Sequence, residues 1–200
     1  LSIRRQRQMC IRDSHKELAG TQKNAWLKVL TSQFPDKPKE EIRILDIGTG
    51  PGFFPVILAE AGYHVDAVDY TEGMLEKAKE NAGNLCRNIR FLRMDAQKLN
   101  FEDNTFDVVI SRNLTWNLEH PDVAYREWVR VLKVGGRLLN FDANWYGYLY
   151  EEEQRKAYEN DRKNVENNSL DDHYLCTDIE RMERIALQVC LLYTSPSPRD

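Results

Sequence analysis

The sequence predicts an α/β fold built on a doubly wound, all-parallel sheet. Three observations support this. Five short apolar segments alternate with longer stretches of helical character. The short segments are apolar on consecutive residues, as in strands covered on both faces. The first of them, "ILDI", runs into the glycine-rich turn "GTGPG" and then directly into an apolar helix. Right-handed crossovers between parallel strands then give a doubly wound sheet.

The elements follow in order. In "HKELAGTQKNAWLKVLTSQF", Leu18, Ala25, Trp26, Val29 and Leu30 fall near helical spacing, and Pro35 ends the helix. "IRILDI" is the first strand. "FFPVILAEAG" is a helix opened by Pro51 and closed by Gly62. "HVDAVD" is the second strand, followed by Thr71 as N-cap of a helix through "EGMLEKAKENA". "IRFLRM" is the third strand and "FDVVIS" the fourth, with the turn-rich "FEDNT" between them. Pro121 starts the helix "DVAYREWVRVL", Gly135-Gly136 turns the chain, and "RLLNFDA" is the fifth strand.

The two ends read differently. "QMCIRD" near the start and "CLLYTS" near the end back-translate to reverse complements. Residues 1–14 and 190–200 therefore resemble translated sequencing adapters, leaving residues 15–189 as a domain fragment. In it, 42–143 form the core and 147–189 a charged helical lid. Without the two ends, the 28 basic and 32 acidic residues fall to 23 and 30, and the net charge moves from −4 to −7. An acidic domain lacks the electrostatic footprint of a nucleic-acid binder. Cys86 and Cys176 stand alone, which excludes a disulfide frame or zinc spacing and suits a cytoplasmic setting. No apolar run is long enough to span a membrane.

The glycine turn is the first functional signal. Dinucleotide sites use G-x-G-x-x-G, but counting from Gly48 and Gly50 places Phe53 where the third glycine belongs. Pro51 also removes a helix-terminal N–H. No lysine or arginine occurs between Ile44 and Leu75, whereas Asp46, Glu60, Asp66, Asp69 and Glu72 are acidic. Such a turn suits a ligand without phosphate that carries positive charge of its own.

"ILDIGTGPG", "HVDAVDYTEGML", "IRFLRMDAQKL", "FDVVISRN" and "LKVGGRLLNFD" together resemble the ordered motifs of the class I S-adenosylmethionine-dependent methyltransferases, in the branch that methylates mainly small molecules. The resemblance implies a Rossmann-like fold of strand order 3-2-1-4-5, with S-adenosyl-L-methionine as cofactor, and no metal. It places Asp46, Gly48, Thr49 and Gly50 around the methionine end, and Asp69 on the ribose hydroxyls. Tyr70 and Met74 become walls beside adenine, Asp95 and Ala96 readers of its edge, and Arg112 and Asn113 neighbours of the methionyl portion. The antiparallel hairpin that the resemblance implies beside strand five is expected to be missing, leaving that strand at an uncovered edge.

The acceptor face is expected from "SRNLTWNLEH" and "DANWYGYLY", with Asn113, Trp116, Asp142, Asn144, Trp145 and Tyr146 as candidates. Of these, Asn113, Trp116, Asp142 and Tyr146 are assigned to catalysis. Together with Tyr148 and Tyr150 the aromatics suggest a small-ligand pocket. The loop after strand four lacks an N-P-P-Y-type sequence, which further disfavours nucleic-acid substrates. A nicotinamide-dependent oxidoreductase and a non-catalytic domain that binds the cofactor for regulation remain as alternatives. The acceptor's identity and the oligomeric state are left open.

Overall fold

The computed structural model describes residues 18, 20, 22–142, 151–153, 155–157 and 159–160. Its sheet holds β1 (Ile44–Ile47), β2 (Val65–Asp69), β3 (Ile89–Arg93), β4 (Phe106–Arg112) and β5 (Leu132–Phe141). All neighbours pair in parallel in the order β3-β2-β1-β4-β5, as predicted. Burial follows that order. Every residue of β1 and the first six of β4 are buried, while β3 and β5, at the edges, are only partly covered.

Helices α1 (Gln22–Thr31), α2 (Phe53–Glu60) and α3 (Glu72–Ala82) cover one face, and α4 (Pro121–Val131) the other. Residues 53–59 of α2 are all buried, because α1 and α3 flank it while the sheet lies beneath. On the opposite face Ala124, Trp128 and Val131 of α4 pack against Leu45, Ile47, Phe106 and Val109. No helix among the described residues is long and apolar enough to cross a membrane.

Several boundaries differ from expectation. The first helix is described only over Gln22–Thr31, with Leu18 also helical, and β1 begins at Ile44. Pro51 lies in the turn and does not open α2, which starts at Phe53 behind Gly52. The cause is steric. Gly52 takes φ +84°, and a Cβ there would come within 2.9 Å of the Ala78 Cβ on α3. The loop crosses α3 too closely for the helix to begin earlier. Thr71 occupies the N-cap of α3 without a side-chain cap hydrogen bond.

Gly135-Gly136 does not separate helix from strand. β5 starts at Leu132, and its pairing jumps from Phe106–Leu132 to Val108–Arg137, so 133–136 bulge outward. Val134 at the tip is almost wholly exposed. In the region read as a lid, 152–153, 155–157 and 159–160 are helical. The adapter-like ends, the last helix, a hairpin after 147, and Asn144, Trp145, Tyr146, Tyr148 and Tyr150 lie outside the described residues. β5 pairs only with β4 among the described residues.

An ion cluster ties the other end of the sheet. Lys133 of the bulge and Lys37 before β1 both donate to the Asp107 carboxylate (2.8 and 2.7 Å), as does the Arg43 amide (3.0 Å). Burial alone would raise the Asp107 pKa, but the two ammonium groups and the amide outweigh it and hold it at about 2. The stabilisation is fully present above the ordinary carboxylate pKa and is lost below it, as pH falls through about 2. Asp107→Asn is expected to cost about 2 kcal/mol at neutral pH, the worth of one charge-assisted hydrogen bond. In urea melts, that deficit should shrink between about pH 4 and pH 2. Gly52→Ala should destabilise by about 2–4 kcal/mol, from backbone strain and overpacking together. Adding Ala78→Gly should recover only the overpacking part.

Candidate active site

In a doubly wound sheet, ligands sit beyond the carboxyl ends of the strands, near the point where strand order reverses. Here that point lies between β1 and β4, and the predicted cofactor residues end β1, β2, β3 and β4 around it. A cleft of about 370 Å³ at the opposite edge, lined by Arg43, His64, Arg87 and Phe106 among others, contains none of them.

The glycine turn is built inward. The Gly48 and Thr49 amides both donate to the Val68 carbonyl of β2 (2.9 and 3.0 Å), and the Gly52 amide donates to the Thr49 carbonyl (3.0 Å). The Gly50 amide donates to Asp69 Oδ2 (2.9 Å), and Pro51 has no N–H. Every backbone donor from 48 to 52 is thus used within the protein. Gly48 and Gly50 take positive φ, and a Cβ on Gly50 would meet nothing within 4 Å, leaving open space beside the turn.

Asp69 serves two elements at once. Besides Gly50, its Oδ1 accepts the Thr71 amide (2.8 Å), so one carboxylate joins the β1 turn to the start of α3. Each oxygen retains acceptor capacity for a hydroxyl. Asp46, on β1, is 3% exposed. Burial lifts its pKa to about 7; the Thr49 hydroxyl lowers it, the Asp69 charge raises it further, and Arg112 pulls it down.

Arg112 itself is boxed in by rings. Its guanidinium lies 5.1 Å from the ring centroids of Trp26 and Phe53 and 5.7 Å from that of Phe54. Phe141 of β5 closes on Trp26 and Phe54 edge to face. This box went unread in the sequence, although Phe53, the residue that broke the dinucleotide fingerprint, belongs to it.

On the far side of β2, Tyr70 is 67% exposed, with the Arg93 guanidinium 5.9 Å from its ring and Arg93 Nε donating to its carbonyl (3.1 Å). Met74 is buried at 7% exposure. Asp95 Oδ1 accepts the Gln97 amide (2.8 Å), and the Ala96 carbonyl accepts the indole N–H of Trp128 (2.9 Å).

The acceptor side is described in part. Asn113 ends β4 in the left-handed region (φ +53°), and its amide donates to the Phe141 carbonyl (2.8 Å). Asp142 Oδ2 accepts the Thr115 amide (3.1 Å) and the Asn140 amide group (3.4 Å), and Asn140 also donates to the Tyr125 hydroxyl (2.8 Å). Burial raises the Asp142 pKa, opposed by the Thr115 and Leu114 amides and by Asn140. Asp142 therefore anchors the loop after β4. Trp116 lies in a short helical turn within that loop (Thr115–Asn117). Tyr125 and Asn140 carried no signal in the sequence, since a hydrogen bond between helix and strand leaves no local pattern.

Known proteins resemble this arrangement. Residues 45–140 match a family described as a methyltransferase domain. A demethylmenaquinone methyltransferase of Clavibacter sepedonicus is 39% identical over 97 residues, covering 48% of this chain and 39% of that protein. The ubiquinone/menaquinone biosynthesis C-methyltransferase UbiE of Xanthomonas campestris pv. campestris is 33% identical over 137 residues, covering 64% and 53%. An S-adenosylmethionine-dependent methyltransferase structure from Mesorhizobium loti superposes with a TM-score of 0.50 at 27% identity, covering 62% and 54%. The chain spans about half the length of the curated relatives it matches or less. These likenesses and the five strand-end motifs support a methyltransferase domain of the class I S-adenosylmethionine-dependent type over residues 45–140, with S-adenosyl-L-methionine as cofactor.

Proposed function

We propose that the protein transfers a methyl group from S-adenosylmethionine to a small-molecule acceptor by in-line displacement. One observation carries the choice of cofactor: the glycine turn offers no spare backbone donor, and the charged group bonded to it is the Asp69 carboxylate. A pyrophosphate needs the opposite, which disfavours a nicotinamide cofactor. A sulfonium and an ammonium suit the turn.

In this reading Asp46 faces the ammonium end, and Asp69 uses its remaining lone pairs on the ribose hydroxyls. Tyr70 and Met74 flank adenine, Asp95 accepts its exocyclic amine, and Arg112 borders the methionyl end. Gly48, Thr49 and Gly50 shape the turn, and Gly50 leaves room for close approach. In the reaction, an electron pair of the acceptor forms the new bond to the methyl carbon. The pair of the breaking C–S bond returns to sulfur, leaving S-adenosylhomocysteine. Alignment and exclusion of water supply most of the acceleration. Where the acceptor must lose a proton, Asp142 is the candidate base, with Asn113, Trp116 and Tyr146 lining the acceptor side. The names of the relatives suggest a quinone-type ring carbon as the first acceptor to try.

Calorimetric titration should give micromolar binding of S-adenosylmethionine. Asp69→Ala should abolish it, and Asp69→Asn should weaken it by about tenfold, the worth of one charge-assisted hydrogen bond. Tighter binding of NADH would overturn the reading. Labelled methyl transfer to demethylated quinones and then to a metabolite extract tests catalysis. Cofactor binding with no transfer to any acceptor would favour a regulatory domain.

The Asp46 carboxyl gives a second test. Its folded pKa is raised, so the stability that its neutral form contributes is present at low pH and lost as pH climbs from about 4 to about 7. A bound cation favours the ionised form. Affinity for S-adenosylmethionine should therefore rise about tenfold between about pH 6 and pH 8, following the ionised fraction. Asp46→Asn should flatten that profile.

A further inference from the structure

The connection between β3 and β4, residues 94–105, contains no helix, so its backbone groups must find partners elsewhere. Helix α4 supplies many of them. Glu127 accepts the Leu99 amide (3.0 Å), and Arg130 donates to the carbonyls of Leu99 (2.9 Å) and Phe101 (2.8 Å). The Asn104 and Thr105 amides donate to the carbonyls of Arg130 and Val131 at the end of α4 (2.9 and 2.8 Å).

Two contacts fall on the part of this segment that would meet adenine. The Trp128 indole is fully buried, and its N–H holds the Ala96 carbonyl at 2.9 Å. The Gln97 side-chain carbonyl accepts the His120 amide at 2.8 Å, just before α4 begins. Asp95, just before them, accepts the Gln97 amide on its Oδ1 (2.8 Å), and Gln97 Nε2 also donates to that oxygen (3.4 Å). Neither Trp128 nor Gln97 ends a strand at the site; Trp128 acts through the backbone it holds, and Gln97 through both the His120 amide and the Asp95 carboxylate.

Taking the S-adenosylmethionine reading above as the basis, we propose that Trp128 and Gln97 are positioning residues that set selectivity for adenine over hypoxanthine by fixing the Asp95–Ala96 segment against α4. The two purines differ at C6. Adenine presents an amine that donates to the Asp95 carboxylate, and hypoxanthine presents a carbonyl that repels it. Such discrimination requires the acceptor to stay within hydrogen-bond distance, because the bond weakens steeply with misalignment. A segment released from α4 would still bind the purine face but would lose its register on the edge.

The test is calorimetric titration of the full 200-residue chain with S-adenosylhomocysteine and S-inosylhomocysteine. These ligands differ only on the purine edge, where the C6 amine becomes a carbonyl and N1 gains a proton. The unmodified chain should favour the adenine ligand by about tenfold or more, as expected for a paired against an unpaired edge. Trp128→Phe keeps an aromatic ring and removes the N–H; Gln97→Met keeps the length and removes both the acceptor for the His120 amide and the Nε2 donor to Asp95. Each should reduce the preference by about five- to tenfold, the worth of one hydrogen bond. Gln97→Met, at a half-buried site, keeps the test available if Trp128→Phe lowers the melting temperature. Equal weakening of both ligands with the ratio preserved, or no change in either, would assign the two side chains to packing and overturn the proposal. An unmodified chain that binds neither ligand would overturn the cofactor reading as well.

Discussion

The hydrogen bond from the Gly50 amide to the Asp69 carboxylate organises the ligand end of this molecule. An amide on a carboxylate is about twice as strong as a neutral pair. This one joins the turn after β1 to the end of β2, while the second oxygen of Asp69 holds the first residue before α3. With the Val68 carbonyl taking two further amides, the turn folds onto β2 and not outward. The consequence is chemical. A glycine turn whose amides point outward becomes an anion cradle, whereas this one presents the site with carboxylate charge and bare Cα surface. In the proposed reading, this arrangement turns the site away from phosphates and toward a cation.

Helix α4 plays a comparable part on the other face. The chain leaves β3 at one edge and must cross beneath β2 and β1 to start β4, and it does so without a helix of its own. An irregular crossing leaves amides and carbonyls unpaired unless side chains reach them, and Glu127, Trp128 and Arg130 do so from one stretch of α4. Arg130 bonds to Glu127 and Asp103 as well as to two carbonyls, so its charge is shared among fixed partners. The same helix follows the loop that Asp142 anchors. In the proposed reading, the adenine side and the acceptor side therefore both border this one helix.

Much of this was legible in the sequence. The five strands declared themselves by consecutive apolar residues, a local signal, and their order followed from the family resemblance that their ordered motifs carry. The placement of the proposed site residues was legible too: Asp46, Asp69, Asp95 and Arg112 stand at or beside strand ends, and the topology collects strand ends at one edge. What failed was contact-dependent. Pro51 was read as a helix opener, and only the closeness of Ala78 to Gly52 shows why the helix starts later. Gly135-Gly136 was read as a clean turn, but the Lys133–Asp107 ion pair lies inside a strand that bulges around it. Trp128 on Ala96 and Trp26 on Arg112 join elements distant in sequence, and no periodicity announces such pairs.

Asp46 and Arg112 show how a site can be kept ready at a cost to the fold. The carboxyl is buried on β1, and the guanidinium at the end of β4 lies close enough to lower its pKa. Trp26, Phe53 and Phe54 surround the guanidinium, and cation–π attraction gains strength when the cation is desolvated. Burial nevertheless lifts the Asp46 pKa to about 7, a local conflict of the kind proteins tolerate at functional sites. In the proposed reading, a ligand that brings its own positive charge resolves that conflict, and its attraction to Asp46 adds to binding, selective for a cation over a neutral analogue of the same shape.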